Sequence, residues 1–191
     1  MQEENFTPQQ SLQLIQSMIS KAKANFSENR FYFLLWGWVA FSCIIGQFIL
    51  KVLVHYRHHY IVWLATIVAA IITMVHVYRY DRAMPRTYVG DSMNHLWTGM
   101  GISFFVLTVI ITQSQGGWNY SYPFFILMYG LGTFVSGRML QFTPLVIGGI
   151  INWFLAIVCA FVQFDYQLLI AAAAILCSYI IPGHLIKPEN K

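Results

Sequence analysis

FYFLLWGWVAFSCIIGQFIL, residues 31–50, runs for twenty positions without an Asp, Glu, Lys, Arg or His. At a helical rise of about 1.5 Å per residue it measures roughly 30 Å, the thickness of a bilayer's hydrocarbon core. Arg30 and Lys51 bracket it where charge can reach water, and Phe31, Tyr32, Trp36 and Trp38 gather near its first end as an interfacial aromatic belt does. The segment reads as a membrane-spanning helix.

Composition extends that reading to the rest of the chain. Charged residues make up 9% of the 191 positions and apolar ones 58%, whereas a water-soluble domain carries about a quarter charged residues to cover its surface. The net charge of +4 is scattered in short segments between apolar runs and is not gathered on one polar face, which excludes nucleic acid as a partner. The acidic start, MQEEN, lacks the basic region and immediate apolar stretch of a cleavable signal, so the amino terminus is expected to be retained. Cys43, Cys159 and Cys177 each sit inside an apolar run without a CxxC pair and read as small buried hydrophobes.

Ahead of the first span, TPQQSLQLIQSMISKAKANF predicts a short amphipathic helix. Thr7 suits the N-cap, Pro8 the first helical position, and Gln10 completes a capping box. Leu12, Ile15, Ile19, Ala22 and Phe26 step by three and four along one face, a candidate docking seam for lipid, for the bundle or for a protein partner. The opening SLQLIQSMISKAKANFSENRFYFLLWGWVAF resembles the start of an uncharacterised group of small polytopic inner-membrane proteins of bacteria. The resemblance covers about the first quarter of the chain and contains no chemical motif, so it implies a fold and a cellular address but no activity.

Five further apolar runs follow: Tyr60 to Tyr78, His95 to Gln113, Tyr122 to Gly137, Thr143 to Val162 and Tyr166 to Pro182. The expected fold is all-α: a cytoplasmic amphipathic segment over 1–30, a six-helix transmembrane domain over 31–182 and a short cytoplasmic tail over 183–191. The fourth and sixth runs are short for a span. Six spans put Lys21, Lys23, Arg30, Arg79, Arg82, Arg86, Arg138, Lys187 and Lys191 on one side, and only Lys51 and Arg57 on the other. The positive-inside rule then places both termini in the cytoplasm of a bacterial inner membrane.

Few residues offer chemistry. In HYRHHY, His55, His58 and His59 are spaced as metal ligands would be if the stretch were helical, with Asp165 the one acidic residue expected on the same side. Asn152 lies about nine residues into its span, roughly 14 Å deep, and Gln47 is the other strongly polar residue well inside an apolar run. An interhelical hydrogen bond, worth about 0.6 to 2 kcal/mol, is the favoured role for Asn152, with a polar intramembrane site shared with Gln47 as the alternative. Small residues recur four apart at Gly99 and Ser103, Gly132 and Ser136, Thr133 and Gly137, Ala65 and Ala69, and Ala156 and Ala160. That spacing lets helices approach closely, within the chain or in a homo-oligomer.

No HExxH, GxSxG or GxxxxGK[ST] occurs, and no run carries an internal Asp, Glu, Lys or Arg. Neither catalysis nor a cofactor is expected. The sequence favours a protein that acts by interaction, as an accessory or regulatory subunit with a cytoplasmic partner. A small permease for a neutral or weakly polar solute comes second, and a membrane-embedded enzyme third.

Overall fold

A computed structural model describes residues 7–10, 12–17, 30–80 and 88–185, and every regular element among them is a helix. At the amino terminus, residues 8–10 and 12–17 are helical. The cap forms as its sequence dictates: the Thr7 amide donates to Gln10 Oε1 at 2.9 Å, and the Gln10 amide donates to Thr7 Oγ1 at 3.3 Å. Leu12 and Ile15 are 59% and 53% exposed. Ile19, Ala22 and Phe26, the rest of the expected seam, lie outside the described residues, as do the basic loop residues Arg82 and Arg86.

The first long helix, α1 (Arg30–Phe48), continues through a π turn, Ile49–Leu53. The chain reverses over 54–58, with His55 in the left-handed region at φ 55°, and enters α2 (Ala65–Tyr80) through a 3-10 turn, His59–Leu64. There follow α3 (Tyr88–Gln113), α4 (Tyr122–Met139) and α5 (Thr143–Ala160). The last helix is built of α6 (Phe164–Ile175), a π turn (Leu176–Ile180) and α7 (Ile181–Leu185). The sequence reading ends this run at Pro182, but the helix carries on to Leu185. A proline clashes with the carbonyl four residues back, here Ser178, and the widened π turn is where such a clash is relieved.

Among the described residues, five helical stretches are long and apolar enough to cross a membrane: Leu34–Leu53, His59–His76, Tyr88–Gln113, Thr143–Ala160 and Phe164–Leu185. α4 has the length but is not one of them; two tyrosines, a proline, three glycines and Arg138 lower its hydropathy. Burial explains why it tolerates them. Its Gly130, Gly132, Thr133, Ser136 and Gly137 are all buried against neighbouring helices, so this face meets protein and has no need to be apolar.

The closest pairing is between α4 and α5. A Cβ added at Gly137 would lie 2.6 Å from the Val146 amide nitrogen, and one at Gly149 would lie 2.8 Å from the Gly130 carbonyl oxygen. On the other side of α5, a Cβ at Gly148 would come within 2.7 Å of the Cys177 carbonyl in the second π turn. Helix α5 is thus held between two backbones. The pairs Gly132 and Ser136, and Thr133 and Gly137, serve packing within the chain, whereas a Cβ at Gly99 would meet nothing within 4 Å.

Residues of α1, α4, α5 and the last helix form the core, around Ile44, Ile126, Ala156, Cys159, Leu168, Ile175 and Tyr179. The helices α2 and α3 lie outside it: 6% of the second apolar span and 11% of the third are buried, against 56% of the last.

Candidate functional site

The most connected buried polar group is the side-chain amide of Gln47, which is 5% exposed. Its Oε1 accepts from Trp63 Nε1 at 2.7 Å and from Tyr122 Oη at 3.2 Å, and its Nε2 lies 3.3 Å from His59 Nδ1. Each partner is placed by a different element: Trp63 and His59 by the 3-10 turn before α2, and Tyr122 by the first position of α4. One amide therefore ties three helices together near one end of the bundle.

Beside it, one turn further along α1, the Lys51 ammonium pairs with Asp165 in the first turn of α6 and lies 3.9 Å from the centre of the Phe164 ring. Phe164 in turn packs on Tyr122, with ring centroids 5.6 Å apart. The Lys51 and Asp165 side chains are 30% and 44% exposed, so water screens the pair and its contribution to stability is small. Its value is positional, since it fixes the first span against the last. Gln167, buried two residues beyond Asp165, donates from Nε2 to the Asn119 and Val162 carbonyls and so holds two connecting segments at this end; its Oε1 has no partner.

Asn152 is in a different place. It is fully buried, and its Cβ lies 3.1 Å from where a Cβ on Gly130 would stand. Gly130 is eight residues beyond Tyr122, so the two amides sit roughly 12 Å apart in depth. They are not brought into one site. Neither Asn152 Nδ2 nor Oδ1 has a hydrogen-bond partner, so the interhelical bond expected of it is not made. The reason is local. Its neighbours across the interface are the glycine backbones that let α4 and α5 touch, and helical backbone amides and carbonyls are already spent on their own ladders.

The three histidines of HYRHHY do not converge either. His59 turns inward to Gln47, His58 Nδ1 lies 2.8 Å from Tyr60 Oη, and His55 is exposed at its left-handed turn. Among the described residues, no group of three His, Cys, Asp or Glu side chains is placed to hold a metal ion.

No protein-family model, curated protein or solved structure matches this chain. Function must be argued from the arrangement alone.

Two concavities lie among the described residues. A groove of about 640 Å³ between α1 and the start of α2 is lined by Leu34, Trp38, Val39, Cys43 and Val62. A second, of about 520 Å³, lies between α4 and α5 and is lined by Phe124, Leu127, Trp153, Ala156 and Ile157. Both are apolar and open sideways. Sequence reasoning singled out Gln47 but missed Trp63 and Tyr122, which look like ordinary interfacial aromatics. It also missed the Lys51–Asp165 pair, although both residues had been assigned to the same end and carry opposite charge.

Proposed function

We propose that the chain is a six-span inner-membrane protein that acts by interaction, as an accessory or regulatory subunit without catalysis, with both termini in the cytoplasm. The sixth span in this reading is α4, whose 18 residues equal the length of α5 and pack along it. The orientation rests on the nine-to-two distribution of Lys and Arg. The observation that carries the interaction reading is the character of the two grooves: both are lined by apolar side chains and face outward, which suits acyl chains or a partner's helix better than a polar substrate. The seam that starts with Leu12 and Ile15 is exposed on the described helix and is the candidate contact for a cytoplasmic partner or for a second copy. Deleting Met1 to Ser27 should leave the protein in the membrane and abolish copurification of its partner. Unchanged copurification would remove the amino-terminal helix from the proposal.

A second reading is favoured by one residue. A fully buried Asn152 with both amide atoms unpaired offers a small neutral hydrogen-bonding solute a group to bond once α4 and α5 part. Solute flux into liposomes containing only this protein, lost in Asn152→Leu with folding intact, would establish a permease in place of a subunit.

A further inference from the structure

The bonds of Gln47 fix the protonation state of His59. An amide can be turned so that its oxygen and nitrogen exchange places, but the indole N–H of Trp63 only donates, so the atom 2.7 Å from it must be the amide oxygen. Tyr122 Oη, 3.2 Å from the same atom, then donates to it as well. The amide nitrogen is thereby left facing His59 Nδ1 at 3.3 Å, and an NH₂ group only donates. His59 Nδ1 must accept, and it does so only in the neutral ring. Adding a proton there sets N–H against N–H. Turning the amide to relieve that contact would set its NH₂ against the indole of Trp63 instead.

The consequence falls on α2. His59 and Trp63 belong to the turn through which the chain enters that helix. α2 and its entry turn also bond to α1 through Trp36 Nε1 and Thr73 Oγ1, 3.1 Å apart, and through Cys43 Sγ and the Val62 carbonyl, 3.2 Å apart. Only 6% of this span is buried. We propose that His59 is a proton-binding site whose occupancy releases the entry turn of α2 from Gln47 and lets that helix move away from α1, opening the groove lined by Trp38, Cys43 and Val62.

The ionisable groups around His59 are Lys51 from the π turn of α1, Asp165 from α6, Tyr122 from α4, and His58 and Tyr60 from its own turn. Lys51 and Asp165 are paired and cancel in part, so the donor and acceptor pattern at Gln47 governs the switch.

The test is a distance measurement on the full chain in liposomes. Nitroxide labels go on cysteines placed at Ile71 on α2 and Ile147 on α5, both exposed, in a background carrying Cys43→Ser, Cys159→Ala and Cys177→Ala. Imidazole titrates between about pH 5 and 8, so the two ends of that range are compared. The interspin distance should lengthen or broaden on acidification. In His59→Gln, whose oxygen can accept from Gln47 at any pH, the neutral-pH distance should persist throughout. In His59→Arg, which only donates, the acid distance should already be present at pH 8. An unchanged distance in the parent protein, or an acid shift that survives in His59→Gln, would overturn the proposal.

Discussion

Gln47 and Asn152 look alike in the sequence, each a lone amide in an apolar helix, yet substitution should affect them with opposite sign. Replacing Gln47 by Leu strands the Trp63 indole and the Tyr122 hydroxyl, at a cost of about 1–3 kcal/mol for each donor left without an acceptor. At Asn152 there is no partner to strand. Asn152→Leu, or the slimmer Asn152→Val, removes a desolvated and unpaired amide, and the better of the two should gain about 1 kcal/mol or more. Equilibrium unfolding in mixed micelles reads both; a loss of more than about 2 kcal/mol in both Asn152 variants would mean that the amide has a partner after all. The sequence makes the depth of each residue legible, because depth follows from counting along a helix. It does not show the partners, because those come from the register between helices, and register is set by which glycines let which backbones meet.

Among elements, the joint between α4 and α5 is the most exactingly built. The Phe142 amide donates to the Gly137 carbonyl at 2.9 Å and the Gln141 amide to the Arg138 carbonyl at 3.3 Å, while Gln141 takes φ 51°. This is the Schellman arrangement, in which the left-handed position is ordinarily glycine. Gln141→Gly should therefore stabilise the protein by about 1 kcal/mol, the order of the cost of holding a side chain in that region. The opposite change belongs one helix on. Gly149→Ala inserts a methyl group 2.8 Å from the Gly130 carbonyl and should cost about 1–3 kcal/mol as the pair is forced apart. Gly149→Ala behaving like the parent in a thermal melt would show that α4 and α5 are not in backbone contact. The starts of these helices were legible, since both runs begin at the residues where the helices do, Tyr122 and Thr143; their last residues were not, being read two short in α4 and two long in α5. The π turns were not, since they leave no signature in hydrophobic periodicity, and the last helix was accordingly read three residues short.

At the scale of the whole molecule, the proposed alternation of six spans makes a direct prediction about sidedness. Reporter fusions after Asn25 and after Lys187 should both report cytoplasm, and one at Gly117 the opposite compartment. A Lys187 reporter that agrees with Gly117 and not with Asn25 would overturn the six-span map, and would point to α4 as a helix that does not cross. Which spans pack centrally was beyond the sequence reading. Five of the six runs are comparably greasy, so hydropathy alone does not separate a helix surrounded by protein from one surrounded by lipid; the small and polar face of α4, which lowers its hydropathy, is what marks it as central.

The contact between Lys51 and Asp165 spans 114 residues of chain, and it sets a timetable for biogenesis. A ribosome adding about 5–20 residues per second needs roughly 6–23 s to go from one to the other. During that interval α1 has met α2, which bonds to it through Gln47, Trp36 and Cys43, but it still lacks the last helix, against which it packs in the finished protein. The first span to enter the membrane is thus among the last to be secured. A nascent chain halted between α2 and α6 would present an α1 without the last helix, with an unpaired lysine at its end, to whatever machinery surveys unfinished membrane proteins.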